Sequence, residues 1–161
     1  MKISASIYSD NSRPLKAVIA DLEAHQVDLL HIDCNDNLSV FDDIKQIREW
    51  CTLPLDLHII TPDPAKFYPY LLENPVEYLT FQVEDLKGAL EIPQEIQGKK
   101  GLALITPTPV SAFEAYEHFD FILIMATIPG QSGGVFDRQN FDKIRNFRKR
   151  YPNKSIHVDG G

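Results

Sequence analysis

Two kinds of segment alternate along this chain, and that alternation constrains its fold more than any other feature. Short apolar runs of strand length are separated by longer stretches whose apolar residues recur at helical spacing. The strand-like runs are KISASIYS, VDLLHIDC, LPLDLHII, EYLTFQVE, KGLALIT, FDFILIMAT and KSIHVDG. Several are apolar almost without interruption, as parallel strands are when both faces are buried. Between them, PLKAVIADLEAHQ places Leu15, Val18, Ile19 and Leu22 on one helical face, and FDDIKQIREWC does the same with Ile44, Ile47 and Trp50. DPAKFYPYLLEN, which opens with a proline suited to a helix start, TPVSAFEAYEHF and FDRQNFDKIRNFRKRY predict further helices. LKGALEIPQEIQGKK is the weakest of the set, because Pro93 interrupts it.

Strand–helix alternation with right-handed crossovers predicts an α/β protein. A dinucleotide-binding sheet needs a glycine-rich turn after its first strand, and YSDNSRP has no glycine. Polar residues recur instead at the ends of the strand-like runs, as in a barrel whose site is assembled from strand ends around one rim. The expectation is a (β/α)8 TIM barrel, in one domain over residues 1–161, with about seven strands present in this chain. An eighth strand is expected beyond residue 161, since a seven-stranded barrel leaves two open edges.

Hydrophobic residues make up 43% of the 161, enough for one core. The formal net charge of -7 argues against a nucleic acid or an anionic membrane as partner. The one compact basic run, RNFRKRYPNK, suits the C-terminal end and exposed face of a helix. The first ten residues hold no long apolar run, so the sequence predicts neither a signal peptide nor a membrane span. Two cysteines, Cys34 and Cys51, lack metal-type spacing, which makes a reducing cytoplasm the expected location. Tyr68 and Tyr70, read as exposed aromatics, leave room for the interface of a homo-oligomer.

Four of the strand-like runs end in chemistry. The first carries Ser6 and Ser9. The second carries His31 and Asp33, two apart and so on one side of a strand, and the third carries Asp56 and His58 in the same relation. The last ends in Asp159, followed by Gly160 and Gly161. A lone histidine in a buried strand is more often a hydrogen-bonded structural residue than a ligand. Two imidazoles and two carboxylates at one mouth, however, suit a divalent zinc, iron or manganese ion. Asp36 and Asp63 read instead as helix caps, and Cys34 as packing. After the sixth run, three glycines flank Ser132 in PGQSGGVF, where backbone N–H groups can cradle an anion.

Taken in order, these motifs resemble the ribulose-phosphate 3-epimerases, metal-dependent (β/α)8 barrels. SASIYS is similar to that family's Ser-Ile-x-Ser, HIDCND to its His-x-Asp-x-x-Asp and LPLDLHI to its Leu-Pro-Leu-Asp-x-His. MATIPGQSGGVF resembles its Met-x-x-x-Pro-Gly loop and VDGG its seventh-strand motif. The resemblance implies His31, Asp33, His58 and Asp159 as ligands of a divalent ion, zinc, iron(II) or manganese. It implies Asp33 and Asp159 as the acid/base pair, and Ser6 and His58 as substrate contacts. Gly130, Gln131, Ser132 and Gly133 are implied at the phosphate, with Gly160 and Gly161 lining the same region. The implied reaction inverts C3 of a ketopentose phosphate, interconverting D-ribulose 5-phosphate and D-xylulose 5-phosphate. Alternatives on the same residues are a ketohexose 6-phosphate 3-epimerase, acting on allulose 6-phosphate, and a sugar-phosphate-binding homologue without turnover. The alternatives rest on departures from the pattern: Asn35-Asp36-Asn37 after Asp33, Ile59 and Ile60 after His58, Gln82 where the fourth strand has histidine, and Gln131-Ser132 in the phosphate loop.

Overall fold

The computed structural model describes residues 1–127 and 135–160. Its strands are β1 (Ser4–Ser6), β2 (Leu29–Asn35), β3 (Leu55–Ile60), β4 (Tyr78–Gln82), β5 (Lys99–Ile105), β6 (Phe121–Met125) and β7 (Ser155–Asp159). Each pairs in parallel with the next, giving one sheet in sequence order. The α-helices between them are α1 (Leu15–Ala24), α2 (Val40–Trp50), α3 (Tyr68–Glu73) and α4 (Asn140–Arg150).

The two faces of the sheet are built differently. Leu30 and Ile32, Leu55 and Leu57, Leu102 and Leu104, Ile122 and Ile124 project outward and join Ile19, Ile44, Ile47 and Phe147 of the helices in one buried cluster. The alternate residues face inward, where Ala103, Leu123 and Met125 form a separate, smaller apolar cluster. Strong curvature follows from contacts on this inner face. In a flat sheet β4 and β7 would lie three strand spacings apart, about 14 Å. Yet the rings of Tyr78 on β4 and His157 on β7 have centroids 5.5 Å apart, and Tyr78 also meets Phe121 of β6 at 5.8 Å. The sheet therefore curls around its inner face, and the arrangement is that of a (β/α)8 TIM barrel with about seven strands present.

The helices follow the sequence where the apolar spacing is regular. α1 buries Val18 and Ile19; α2 buries Val40, Phe41, Ile44 and Ile47. Asp42 and Asp43 lie in the first turn of α2 and Arg48 in its last, matching the helix dipole. The basic run falls at the end of α4, where Arg148, Lys149 and Arg150 occupy the last turn while Phe147 is buried. Phe147 meets Phe113 edge-on at 5.1 Å.

Where proline intervenes, the α-helices shorten or disappear. Pro64–Phe67 is a 3-10 turn leading into the six-residue α3, and Val110–Tyr116 is entirely 3-10. LKGALEIPQEIQGKK forms no helix, consistent with Pro93. Two expected caps are also corrected. α2 is preceded by Ser39, and Asp36 sits in the left-handed region (φ 56°), taking Lys66 at 2.5 Å and the hydroxyl of Thr61. Asp63 precedes its 3-10 turn without a side-chain capping bond. Of the two tyrosines expected to be exposed, Tyr70 is, at 37%, and Tyr68 is half-buried. Tyr68 donates its hydroxyl to Glu91 O at 2.8 Å, and Tyr70 stacks on Phe41 at 5.2 Å.

Candidate metal centre

Register brings the site together. β2 and β3 pair His31 with Asp56 and Asp33 with His58, so the two-residue spacing on each strand places all four side chains on the inner face. One ligand atom each from His31, Asp33 and His58 lies within 4.8 Å of the other two. Asp33 Oδ1 stands 3.4 Å from His31 Nε2 and 3.4 Å from His58 Nδ1. His58 is 0% exposed and His31 7%.

These three atoms are half of the six buried side-chain atoms that lack a hydrogen-bond partner among the described residues. His31 Nε2, Asp33 Oδ1 and His58 Nδ1 are buried without a hydrogen-bond partner. An unsatisfied buried polar atom costs about 1–3 kcal/mol, so three converging on one spot call for a ligand. Two imidazole nitrogens and a carboxylate oxygen are a donor set for a first-row divalent ion.

Each imidazole is held from behind. His31 Nδ1 donates to Asp56 Oδ2 at 3.1 Å, and the Ser4 hydroxyl donates to the same oxygen at 2.8 Å. His58 Nε2 lies 2.9 Å from the amide oxygen of Gln82. Such outer partners fix ring orientation and leave the inner nitrogen to ligate. Burial opposes a charge on His31, but the carboxylates of Asp33 and Asp56 outweigh it and raise the imidazole to about 10. Burial likewise opposes the charge on Asp33, yet His31 and His58 hold it well below the usual carboxylate range. Asp56 is lowered too, against its burial, by His31 and Ser4.

Comparison with known proteins bears on what such a centre serves. The model of the ribulose-phosphate 3 epimerase family matches residues 2–161. The chain belongs to that family. It is thereby an isomerase-type enzyme acting on carbohydrate. It is 28% identical to the ribulose-phosphate 3-epimerase of Bacillus subtilis, an alignment that covers 100% of this chain and 81% of the relative. It is equally 28% identical to the Escherichia coli K12 enzyme of the same name, over 99% of this chain and 77% of the relative. The Aquifex aeolicus ribulose-phosphate 3-epimerase is 28% identical over 83% of this chain and 67% of its own length. No helix among the described residues is long and apolar enough to cross a membrane.

The other residues expected at an epimerase site divide into two groups. Asp159, the last residue of β7, is half-buried at the same end of the sheet, opposite Met125, and its carbonyl accepts from Ala126 N at 2.8 Å. It is not one of the three residues whose ligand atoms cluster. Ser6 ends β1 in register with His31, and Gly160 lies beside Phe136, whose ring a Cβ at that position would meet at 3.5 Å. Gly130, Gln131, Ser132, Gly133 and Gly161 lie outside the described residues. Two members of the centre were not identified from sequence: Asp56, whose spacing from His58 was visible but whose partner was not, and Gln82, read only as a departure from the family pattern.

Proposed function

We propose that the protein is a divalent-metal-dependent 3-epimerase of a ketopentose phosphate, interconverting D-ribulose 5-phosphate and D-xylulose 5-phosphate. The observation that carries this reading is the convergence of three orphaned ligand atoms, from His31, Asp33 and His58, inside a barrel of this family. His31, Asp33, His58 and Asp159 would hold the ion, which could be zinc, iron(II) or manganese. When bound, such an ion supplies positive charge that offsets the negative charge developing on the substrate oxygens.

The chain's own residues account for the rest. Inverting a carbon beside a ketone requires removal of its proton from one face and return of a proton to the other. Asp33, held ionised at neutral pH, takes the C3 proton, and the electron pair moves into a planar enediolate. Asp159, arriving from β7 across the inner face, delivers a proton to the opposite side of C3, and the ketone re-forms with inverted configuration. The reverse reaction exchanges the two roles. Ser6 and His58 contact the sugar, while Gly130, Gln131, Ser132 and Gly133, with Gly160 and Gly161, receive the phosphate.

The test is conversion of D-ribulose 5-phosphate, followed by NMR, by protein loaded with zinc, iron(II) or manganese. Formation of D-xylulose 5-phosphate that stops on chelation supports the reading. Turnover of allulose 6-phosphate alone would move the substrate to a ketohexose phosphate. Binding of both sugars without conversion of either would leave a sugar-phosphate-binding protein.

A further inference from the structure

Gln82 and Glu84 do not belong to the cluster of ligand atoms, yet the cluster's geometry depends on them. An imidazole presents a bare nitrogen to a metal only if its proton sits on the other one. For His58 the inner nitrogen is Nδ1, unmet and facing Asp33 Oδ1 at 3.4 Å. Left to itself, that carboxylate would draw the proton onto Nδ1, the wrong side for ligation. The outer nitrogen, Nε2, faces the amide of Gln82. A glutamine amide can offer either its oxygen or its NH2 group, and only the oxygen holds the proton on Nε2.

The choice is made one residue further out. The Gln82 NH2 group donates to Glu84 Oε2, and Glu84 Oε1 accepts from the backbone N–H of Ile105 at 3.0 Å. A carboxylate only accepts, so the NH2 of Gln82 must face Glu84 and its oxygen must face His58. Glu84 is itself located by β5, whose Ile105 carbonyl takes the ammonium of the buried Lys143 from α4. Every link has a defined direction: His58 donates to Gln82, Gln82 to Glu84, and Ile105 N to Glu84.

We infer that Glu84 is a positioning residue of the metal centre: by fixing the orientation of the Gln82 amide, it holds the proton of His58 on Nε2 and leaves Nδ1 to ligate. The inference rests on the reading of His58 as a metal ligand. It also gives Gln82 a role of its own, as the acceptor that a neutral imidazole needs behind it.

The test uses the whole chain and no substrate. Glu84→Gln keeps the shape of the side chain but can no longer accept from both Ile105 N and Gln82. Gln82 then turns its NH2 toward His58. The expected result is loss of zinc affinity by about 10–100-fold in competition with a chromogenic chelator, the range for loss of an outer partner. In the zinc-free protein, long-range nitrogen–proton NMR should show the His58 proton moving from Nε2 toward Nδ1. The double variant Gln82→Glu/Glu84→Gln restores every bond with one polarity reversed. Its new carboxylate accepts from His58 and from the new amide, and the oxygen of that amide accepts from Ile105 N. The double variant should recover zinc affinity, which repair of a merely structural defect would not explain. Zinc affinity of Glu84→Gln within twofold of the parent, or failure of a folded double variant to recover it, would overturn the inference. A parent chain that shows this proton on Nε2 and binds zinc but does not convert ribulose phosphate would leave the inference standing and remove the proposed function instead.

Discussion

Zinc added to the metal-free protein near neutral pH is expected to displace about one proton from His31 for each ion bound. The reason lies in the two carboxylates that flank this imidazole. Burial alone would favour the neutral ring, but Asp33 and Asp56 raise it to about 10, so the metal-free site holds the ring protonated at neutral pH. Nε2 must be bare to ligate, so the proton and the metal compete. The two carboxylates add no such competition, because both are held below their ordinary range. Apparent affinity should therefore rise about tenfold for each pH unit up to about 10, or about 1.4 kcal/mol per unit. The same proton affects folding with a definite sign. The folded-state value lies above the unfolded 6.5, so its contribution to metal-free stability is complete below about 6.5 and is lost as pH rises through about 10. Calorimetric titration in buffers of different ionisation enthalpy counts the protons, and NMR of the His31 ring assigns them. Zinc binding with no proton released from His31, and an affinity flat from neutral to mildly alkaline pH, would refute the reasoning.

Three further substitutions probe the frame and the centre. Asp56→Asn keeps an acceptor for His31 but removes one of the two charges that raise it, so the rise of zinc affinity with pH, measured by chelator competition, should level off at a lower pH than in the parent. Gly98 has φ 85°, and a Cβ there would meet Val76 O at 2.1 Å; Gly98→Ala should cost at least about 2 kcal/mol and lower the melting temperature by about 4–8 °C. Phe113 is 0% exposed between Phe147 and Tyr151, so Phe113→Ala should cost about 3–5 kcal/mol in denaturant unfolding.

Some of this structure was legible in the sequence because its signals run along the chain. The two-residue spacing in HIDCND and DLHII places His31 with Asp33 and Asp56 with His58 on one side of each strand, whatever the neighbours are. The apolar spacing of α1, α2 and α4 likewise needs only local geometry. The parts that were not legible depend on register across the sheet. That Asp56 sits opposite His31, rather than serving its own neighbour His58, follows from the β2–β3 pairing. Gln82 looked like a loss because a motif comparison scores a missing histidine, not the hydrogen bond that the amide makes in its place. Glu84 lies just past β4 and carries no motif signal; its role appears only once Ile105 is brought alongside by β5. Helix type was misjudged where prolines crowd the chain, at Pro64 and Pro69 and at Pro107 and Pro109, because apolar spacing alone does not separate a 3-10 turn from an α-helix.

The central claim is that two aspartates on opposite sides of the sugar move the proton at C3. The zinc-loaded protein should be incubated with D-ribulose 5-phosphate in deuterated water while the C3 proton is followed by NMR. The account predicts deuterium at C3 in both pentulose phosphates, with conversion to D-xylulose 5-phosphate slowed by about a hundredfold or more in Asp33→Asn and in an Asp159→Asn variant that still binds zinc. Conversion to D-xylulose 5-phosphate at the parent rate in Asp159→Asn, or no exchange in the parent with the sugar phosphate bound, would contradict it.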